Sequence, residues 1–355
     1  MPKYRIGVTA SFFDAHGQHI DGGMDLSPLT REPDIELIRL APMPVLAPDI
    51  TRDLDAIFIR EVELYNDSSV HPNHRLAHLS RLGVGHDNID KDACNRHGVA
   101  CTTTPDASRR PMAVATISLL MALAMRIKGK ETAGRMGAPG FAIGPRYTGV
   151  GFVGRTLGIV GLGNIGREVA RLMKVFEVKL IAHDPYVPQD VADGLGVELV
   201  GLHDLFRRSD FISLNCALTD ETHHMINASC FDVMKPSAYF VNVARGPVVN
   251  QPDFIAAFNA GKMAGAALDV FDPEPPQPGD PILALDKDRA ILTPHAIGFT
   301  DQIVDGMMEC VFRSIFDVKA GRVPYGIVNK PIAENPDFLA KLKRYAAGEY
   351  YERGK

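Results

Sequence analysis

Residues 156–166 read TLGIVGLGNIG. The run 157–160 is short and apolar, the form of a strand buried on both faces of a parallel sheet. Gly161, Gly163 and Gly166 follow in G-x-G-x-x-G spacing, where a strand would turn into a helix. The first glycine permits a tight turn, the second lets backbone N–H groups approach a pyrophosphate, and the third lets the helix pack close to the sheet. Asn164 and Ile165 would open a helix over 164–176, whose N-terminus offers partial positive charge to phosphates. Ile165, Val169, Leu172 and Met173 fall on one face of it. Glycine supplies 32 of 355 residues, so the spacing alone is a weak signal; the apolar run before it and the amphipathic stretch after it give it meaning.

Working outward, a second strand over 179–183 ends in Asp184. A carboxylate about 20 residues beyond the glycines can bond a ribose 2′-hydroxyl and would repel a 2′-phosphate, which favours NAD over NADP. An Asp before Pro185 also suits an ordinary turn, and the two readings are compatible. Strands over 211–215, 239–243, 265–270 and 290–292, with helices over 202–208 and 252–260, continue a doubly wound sheet. Upstream, 4–10, 35–40, 56–60, 77–81 and 99–102 read as strands separated by turn residues, with a helix over 91–97, a small α/β domain with a parallel sheet.

From Asp106 a helical pattern runs to about Lys130, capped by Asp106 or Ser108, with Pro111 in its first turn. Its segment 112–125 is apolar nearly all round, which calls for burial at a domain junction or a subunit interface. Arg109 and Arg110 sit at its N-terminal end, where the helix dipole disfavours cations; they are either solvated or face an anion. Residues 134–155 read as a glycine-rich loop, 301–319 as a helix, 324–329 as a loop or short strand, and 335–355 as a polar helical tail.

The length suits two domains. A net charge of −5 provides no basic footprint for nucleic acid or an anionic membrane. The longest apolar run, 112–125, is shorter than the ~20 residues of a spanning helix, and the N-terminus carries no signal-peptide pattern. Five cysteines, odd in number and without C-x-x-C spacing, fit the reduced thiols of a cytoplasmic protein. His71, His74 and His78 form a string that lacks an acidic or cysteine partner, so no metal is expected.

Candidate reactive groups lie near the ends of three later strands: Arg245 in VNVARG, Asp269 and Glu274 in LDVFDPEP, and His295 in TPHAIGFT. Ligands of open α/β sheets bind outside the carboxyl ends of strands, so these groups can converge. An arginine grips a carboxylate in bidentate fashion and polarises a neighbouring carbonyl. A histidine moves a proton as hydride arrives or leaves. A glutamate on the other imidazole nitrogen fixes the ring and favours its charged form.

These motifs, with LGVGHDNID (82–90) before them and NCALTDETHHMI (215–226) among them, stand in an order that resembles the D-isomer-specific 2-hydroxyacid dehydrogenases. That family includes D-lactate, D-3-phosphoglycerate and glyoxylate/hydroxypyruvate dehydrogenases. The resemblance implies an α/β chain in which a Rossmann doubly wound parallel sheet domain, 106–299, is inserted into a smaller flavodoxin-like α/β substrate domain made of 1–105 and 300–334, with a tail over 335–355. It implies Arg245, Glu274 and His295 as the catalytic set, and Arg60, Val84, Gly85 and Arg245 as the substrate-binding set. Gly161, Gly163, Asn164, Ile165, Gly166, Asp184, Thr219 and Asp269 would bind NAD, Asp269 at the nicotinamide carboxamide. The implied protein is a homodimer paired through the Rossmann domain, with a 2-keto or 2-hydroxy acid as its small-molecule partner. Its expected reaction interconverts a 2-keto acid and a D-2-hydroxy acid. A dinucleotide-sensing binding protein of the corepressor type and a phosphite-type dehydrogenase are the alternatives on this scaffold. Ala217 departs from the proline usual before Leu-Thr. Phe12 and Phe13 could wall the substrate pocket or belong to the core.

Overall fold

A computed structural model describes residues 3–14, 16, 24–60 and 62–350. The chain divides into two units, one of Met1–Ser108 with Thr300–Lys355 and one of Arg109–Phe299.

In the first unit the apolar runs pair as parallel strands β1 (Tyr4–Val8), β2 (Ile35–Arg39), β3 (Ala56–Ile59), β4 (His78–Arg81) and β5 (Ala100–Thr102), in the order β2-β1-β3-β4-β5. This is the flavodoxin-like order, with its topological switch point between β1 and β3. β3 and β4 are buried along their whole length, as strands covered on both faces must be. Phe12 is fully buried and stacks on Phe58 at 4.2 Å, so it belongs to the core. Residues 324–329 form no strand but run beside β5, with an antiparallel bridge from Ile327 to Thr102 and with Asn329 Oδ1 accepting the Cys101 N–H at 2.9 Å. Helix Asp301–Lys319 is capped by the Thr300 side chain, which accepts the Ile303 N–H. The tail forms helix Pro336–Ala346; residues 351–355 lie outside the described residues. That helix is anchored by Tyr345, whose hydroxyl proton faces two acceptors, the Arg75 carbonyl (2.9 Å) and Asp55 Oδ1 (3.1 Å).

The second unit holds strands β6 (Thr156–Val160), β7 (Lys179–His183), β8 (Val197–Leu199), β9 (Phe211–Leu214), β10 (Tyr239–Asn242), β11 (Gly265–Leu268) and β12 (Ala290–Leu292). All pair in parallel, in the order β12-β11-β10-β9-β6-β7-β8. From β6 outward this is the Rossmann order, extended by one strand beyond β11. β8 has three residues and the helix before it, Gln189–Leu195, only seven, so neither is long enough to show a clear hydrophobic period in the sequence.

The long helix differs from expectation. It spans Pro105–Ala124 and stops where Arg126 turns left-handed (φ 52), and Ile127–Arg135 follows at a bend of 59°. Its apolar residues, among them Ala113, Leu119, Leu120 and Ala124, pack on Leu157, Ile159 and Val169 of the same unit. Intra-unit packing therefore accounts for most of the apolar surface that had suggested an interface. Residues 134–155 are not simply a loop: they contain helix Ala138–Ile143 and a 3-10 turn over Gly144–Tyr147. The glycine at 140 serves close packing, since a Cβ there would lie 1.6 Å from the Ala133 carbonyl oxygen. Arg110 meets a carboxylate, Glu168, whose other oxygen accepts from Arg171 at 3.1 Å. Among the described residues no single helix is long and apolar enough to cross a membrane.

Candidate active site

The turn after β6 shows three glycines kept for three reasons. Gly161 has φ +90, and a Cβ there would fall 2.6 Å from the Cys216 backbone. At Gly166 a Cβ would lie 2.1 Å from the Gly161 carbonyl oxygen, so only glycine lets the helix seat on the turn. Gly163 meets nothing within 4 Å and has an ordinary φ of −75. Its missing side chain leaves open space in front of helix Asn164–Met173. No side chain caps that helix, so the N–H groups of its first turn, Asn164 and Ile165 among them, are left for a ligand.

A cleft of about 890 Å³ opens here, walled by Gly161, Gly163 and Asp184 on one side and by Asn215, Cys216 and Thr219 on the other. It sits where β6 meets β9, the switch point of this sheet. Asp184 Oδ2 accepts the Leu162 N–H (2.8 Å) and Oδ1 the Tyr186 N–H (3.0 Å). The carboxylate thus shapes the glycine turn while keeping lone pairs for a hydroxyl. Asn215 Oδ1 accepts from Ser213, but its buried Nδ2 has no partner among the described residues. An orphan donor, an open glycine and an uncapped helix end fit a dinucleotide. Sequence reasoning passed over Asn215 and Arg167, which also line this cleft; the position of Asn215 at the end of β9 was the available signal.

At the ends of β10, β11 and β12 the same unit gathers Arg245, Glu274 and His295. Asn242 braces the first: its Oδ1 accepts the Ala244 N–H (3.0 Å) and its Nδ2 donates to the Arg245 carbonyl (3.1 Å). Gly246 lies so close to the next segment that a Cβ would stand 1.7 Å from the Phe271 carbonyl oxygen. Glu274 Oε1 lies 2.6 Å from His295 Nδ1, and Glu274 Oε2 accepts the Phe271 N–H at 3.0 Å. Burial alone would raise the Glu274 carboxyl. The His295 hydrogen bond and charge, the Phe271 N–H and the Arg245 charge together outweigh burial and hold it below its ordinary value.

His295 has a left-handed backbone, φ 52, a costly conformation that surrounding structure must hold. Asp269 does so: its Oδ1 accepts from Thr293 Oγ1 (2.6 Å), the Ala296 N–H (3.0 Å) and the Ile297 N–H (3.2 Å). Burial pushes the Asp269 carboxyl up despite those donors. With Nδ1 engaged by Glu274, the ring keeps Nε2 for proton exchange.

The first unit carries the other expected residues just past the carboxyl ends of β3 and β4. Arg60 follows β3, and its Nη1 donates to the Ser11 carbonyl, just past β1, at 3.3 Å. Ser11 Oγ donates to Glu63 at 2.9 Å. After β4, Gly83 takes φ +101 and exchanges bonds with Thr104, leaving Val84 exposed and Gly85 half-buried. His78, buried against Thr102 Oγ1 at 2.8 Å, is held by that burial to a pKa of about 3. Among the described residues no group of three or more His, Cys, Asp or Glu could hold a metal ion.

A nucleotide cradle on a Rossmann sheet, with an Arg–Glu–His set at neighbouring strand ends, defines a dinucleotide-linked oxidoreductase. The sequence profile of the D-isomer specific 2-hydroxyacid dehydrogenase NAD binding domain matches residues 117–296. A glyoxylate reductase of Korarchaeum cryptofilum is 38% identical over 261 residues, 73% of this chain and 78% of the relative. A D-3-phosphoglycerate dehydrogenase of Methanocaldococcus jannaschii is 35% identical over 83% of this chain, which spans 55% of that relative's length. Among solved structures, holo D-mandelate dehydrogenase of Rhodotorula graminis superposes with a TM-score of 0.77 at 27% identity, covering 92% of this chain and 98% of that one. The D-lactate dehydrogenase of Aquifex aeolicus, solved with NAD and lactic acid, gives 0.74 at 26% identity, covering 89% and 94%. The chain belongs to the D-isomer specific 2-hydroxyacid dehydrogenases, a family of NAD-binding oxidoreductases.

Proposed function

We propose that the protein reduces a small 2-keto acid to the D-2-hydroxy acid with NADH, and runs the reverse oxidation with NAD. The observation that carries this reading is the Glu274–His295 pair beside Arg245 in the unit that also holds the glycine cradle. Gly161, Gly163, Asn164, Ile165, Gly166, Asp184, Thr219 and Asp269 are assigned to the cofactor, which when bound supplies or takes up the hydride. Arg245 grips the substrate carboxylate through paired N–H donors and draws electron density from the adjacent carbonyl. His295 gives the proton on Nε2 to the carbonyl oxygen, and Glu274 stabilises the imidazolium until then. In the oxidative direction the same nitrogen takes the hydroxyl proton. Arg60, Val84 and Gly85 are assigned to substrate binding in the first unit.

The names borne by the relatives favour an enzyme over a sensor of the corepressor type or a phosphite-type dehydrogenase. The decisive experiment follows NADH oxidation with glyoxylate, hydroxypyruvate, pyruvate and phenylpyruvate. Turnover of any of them with a D-product supports the reading; tight NADH binding with no turnover on the whole set overturns it in favour of the sensor.

We further assign the protein to the cytoplasm as a homodimer that binds neither nucleic acid nor membrane. The dimer reading is supported by exposed apolar side chains on the helices before β6, Val114 at 49%, Ile127 at 50% and Phe141 at 82%, which a second copy could cover. Light scattering that gave a monomer mass would remove it.

A further inference from the structure

His224 is half-exposed, yet its backbone and its ring are both held by named partners. It lies in the segment 215–226, whose Thr219, Thr222 and Met225 wall the nucleotide cleft. Its backbone is left-handed, φ 51, a conformation uncommon outside glycine. Its N–H donates to the Pro247 carbonyl at 2.8 Å, and its own carbonyl accepts from Asn227 Nδ2 at 3.2 Å. Its Nε2 lies 3.3 Å from Asp272 Oδ2, and the His223 ring stacks on it at 4.0 Å. Pro247 stands two residues beyond Arg245, and Asp272 two residues before Glu274. Asp272 is itself braced, its N–H donating to Gln251 Oε1 at 3.0 Å.

A simple turn at φ 51 would be best served by glycine. The strained backbone here instead aims an imidazole at a carboxylate on the Glu274 segment, while the amide holds the Arg245 segment. We propose that His224 is a positioning residue that straps the wall of the nucleotide cleft to the segments carrying Arg245 and Glu274. Ordering that wall and aligning the Glu274–His295 pair are then one event. The catalytic meaning of the strap rests on the function proposed above; the strap itself belongs to the cofactor-free chain.

The test uses His224→Gly, which keeps the left-handed backbone and removes the link, Asp272→Ala, which removes it from the other side, and the double variant. His224→Asn, tolerant of this backbone and bearing an amide donor, is the conservative rescue. Hydrogen exchange at the Phe271 amide, which bonds Glu274 Oε2, reads the strap without cofactor; NADH affinity by fluorescence titration and kcat against KM read its consequences. Each single variant should speed Phe271 exchange and lower kcat by about threefold, the worth of one half-exposed ion-paired hydrogen bond. KM for the keto acid should move less, the double variant should be no worse than either single one, and His224→Asn should recover part of the loss. Unchanged Phe271 exchange and NADH affinity in both single variants, or losses that simply add, would overturn the strap. A wild-type chain that binds NADH but reduces no keto acid would sink the proposed reaction, and the exchange and affinity measurements would still judge the strap.

Discussion

Glu274 and His295 are joined at 2.6 Å through Oε1 and Nδ1, while the second carboxylate oxygen is spent on the Phe271 N–H of its own turn. The carboxylate is therefore fixed before it meets the ring, and the ring inherits its orientation. Removing the ring should cost more than removing the charge behind it. His295→Ala is expected to lower kcat by about 10²–10⁴-fold, the usual worth of a positioned acid/base group, with KM little changed; steady-state kinetics check this.

The pH dependence of stability follows from the depressed Glu274 carboxyl. A group whose folded pKa is lowered contributes stability that is complete above its unfolded value, about 4.3, and is lost as pH falls through the folded value. At neutral pH the wild type should thus be more stable than Glu274→Gln. The gap should close as pH drops below that range. Urea denaturation of both proteins across the acid range measures it; a gap that widened in acid would contradict the assignment.

Arg245→Lys should behave nearly as badly as Arg245→Ala. A lysine keeps the charge but cannot present two parallel donors to a carboxylate. Losing the fork removes about 3 kcal/mol of charge-assisted bonding, or roughly 10² in kcat/KM. Product analysis with the best keto acid found in the substrate screen is the appropriate assay.

Two alanine substitutions in the glycine turn should separate folding from binding. A Cβ at residue 163 meets nothing within 4 Å, whereas one at residue 166 would stand 2.1 Å from the Gly161 carbonyl oxygen. Gly163→Ala should leave cofactor-free stability within about 0.5 kcal/mol of wild type and weaken NADH binding. Gly166→Ala should lower the melting temperature before any ligand is added. Calorimetry and NADH titration on the two variants distinguish these outcomes.

Asp184→Ala should cost more than a ribose contact, because both carboxylate oxygens also hold backbone N–H groups of Leu162 and Tyr186. NADH affinity and cofactor-free melting temperature should fall together. NADPH should gain relative to NADH without being well bound, which a ratio of kcat/KM values for the two cofactors measures.

Much of this architecture could be read from the chain. The strands at 179–183 and 290–292 and the helices at 202–208 and 301–319 stand where apolar runs and turn residues put them. The break at Arg126 could not be seen, because its left-handed backbone is carried by an arginine. The turns over 138–147 were hidden because glycine there signals close packing at residue 140 as well as loops. Within the site, the residue types at strand ends were legible as motifs. What escaped were the partnerships that depend on where side chains point: the orphan amide of Asn215, the grip of Asp269 on the turn bearing His295, and the link from His224 to Asp272.

The contact of Gly246 with the Phe271 carbonyl sets a limit on how this enzyme can diverge. The segment after Arg245 and the segment before Glu274 meet with no room for a methyl group, so a change that shifts one backbone must shift the other. Libraries built on the substrate assignment proposed above should vary the first unit, around Arg60 and the 83–85 turn, and keep residue 246 invariant.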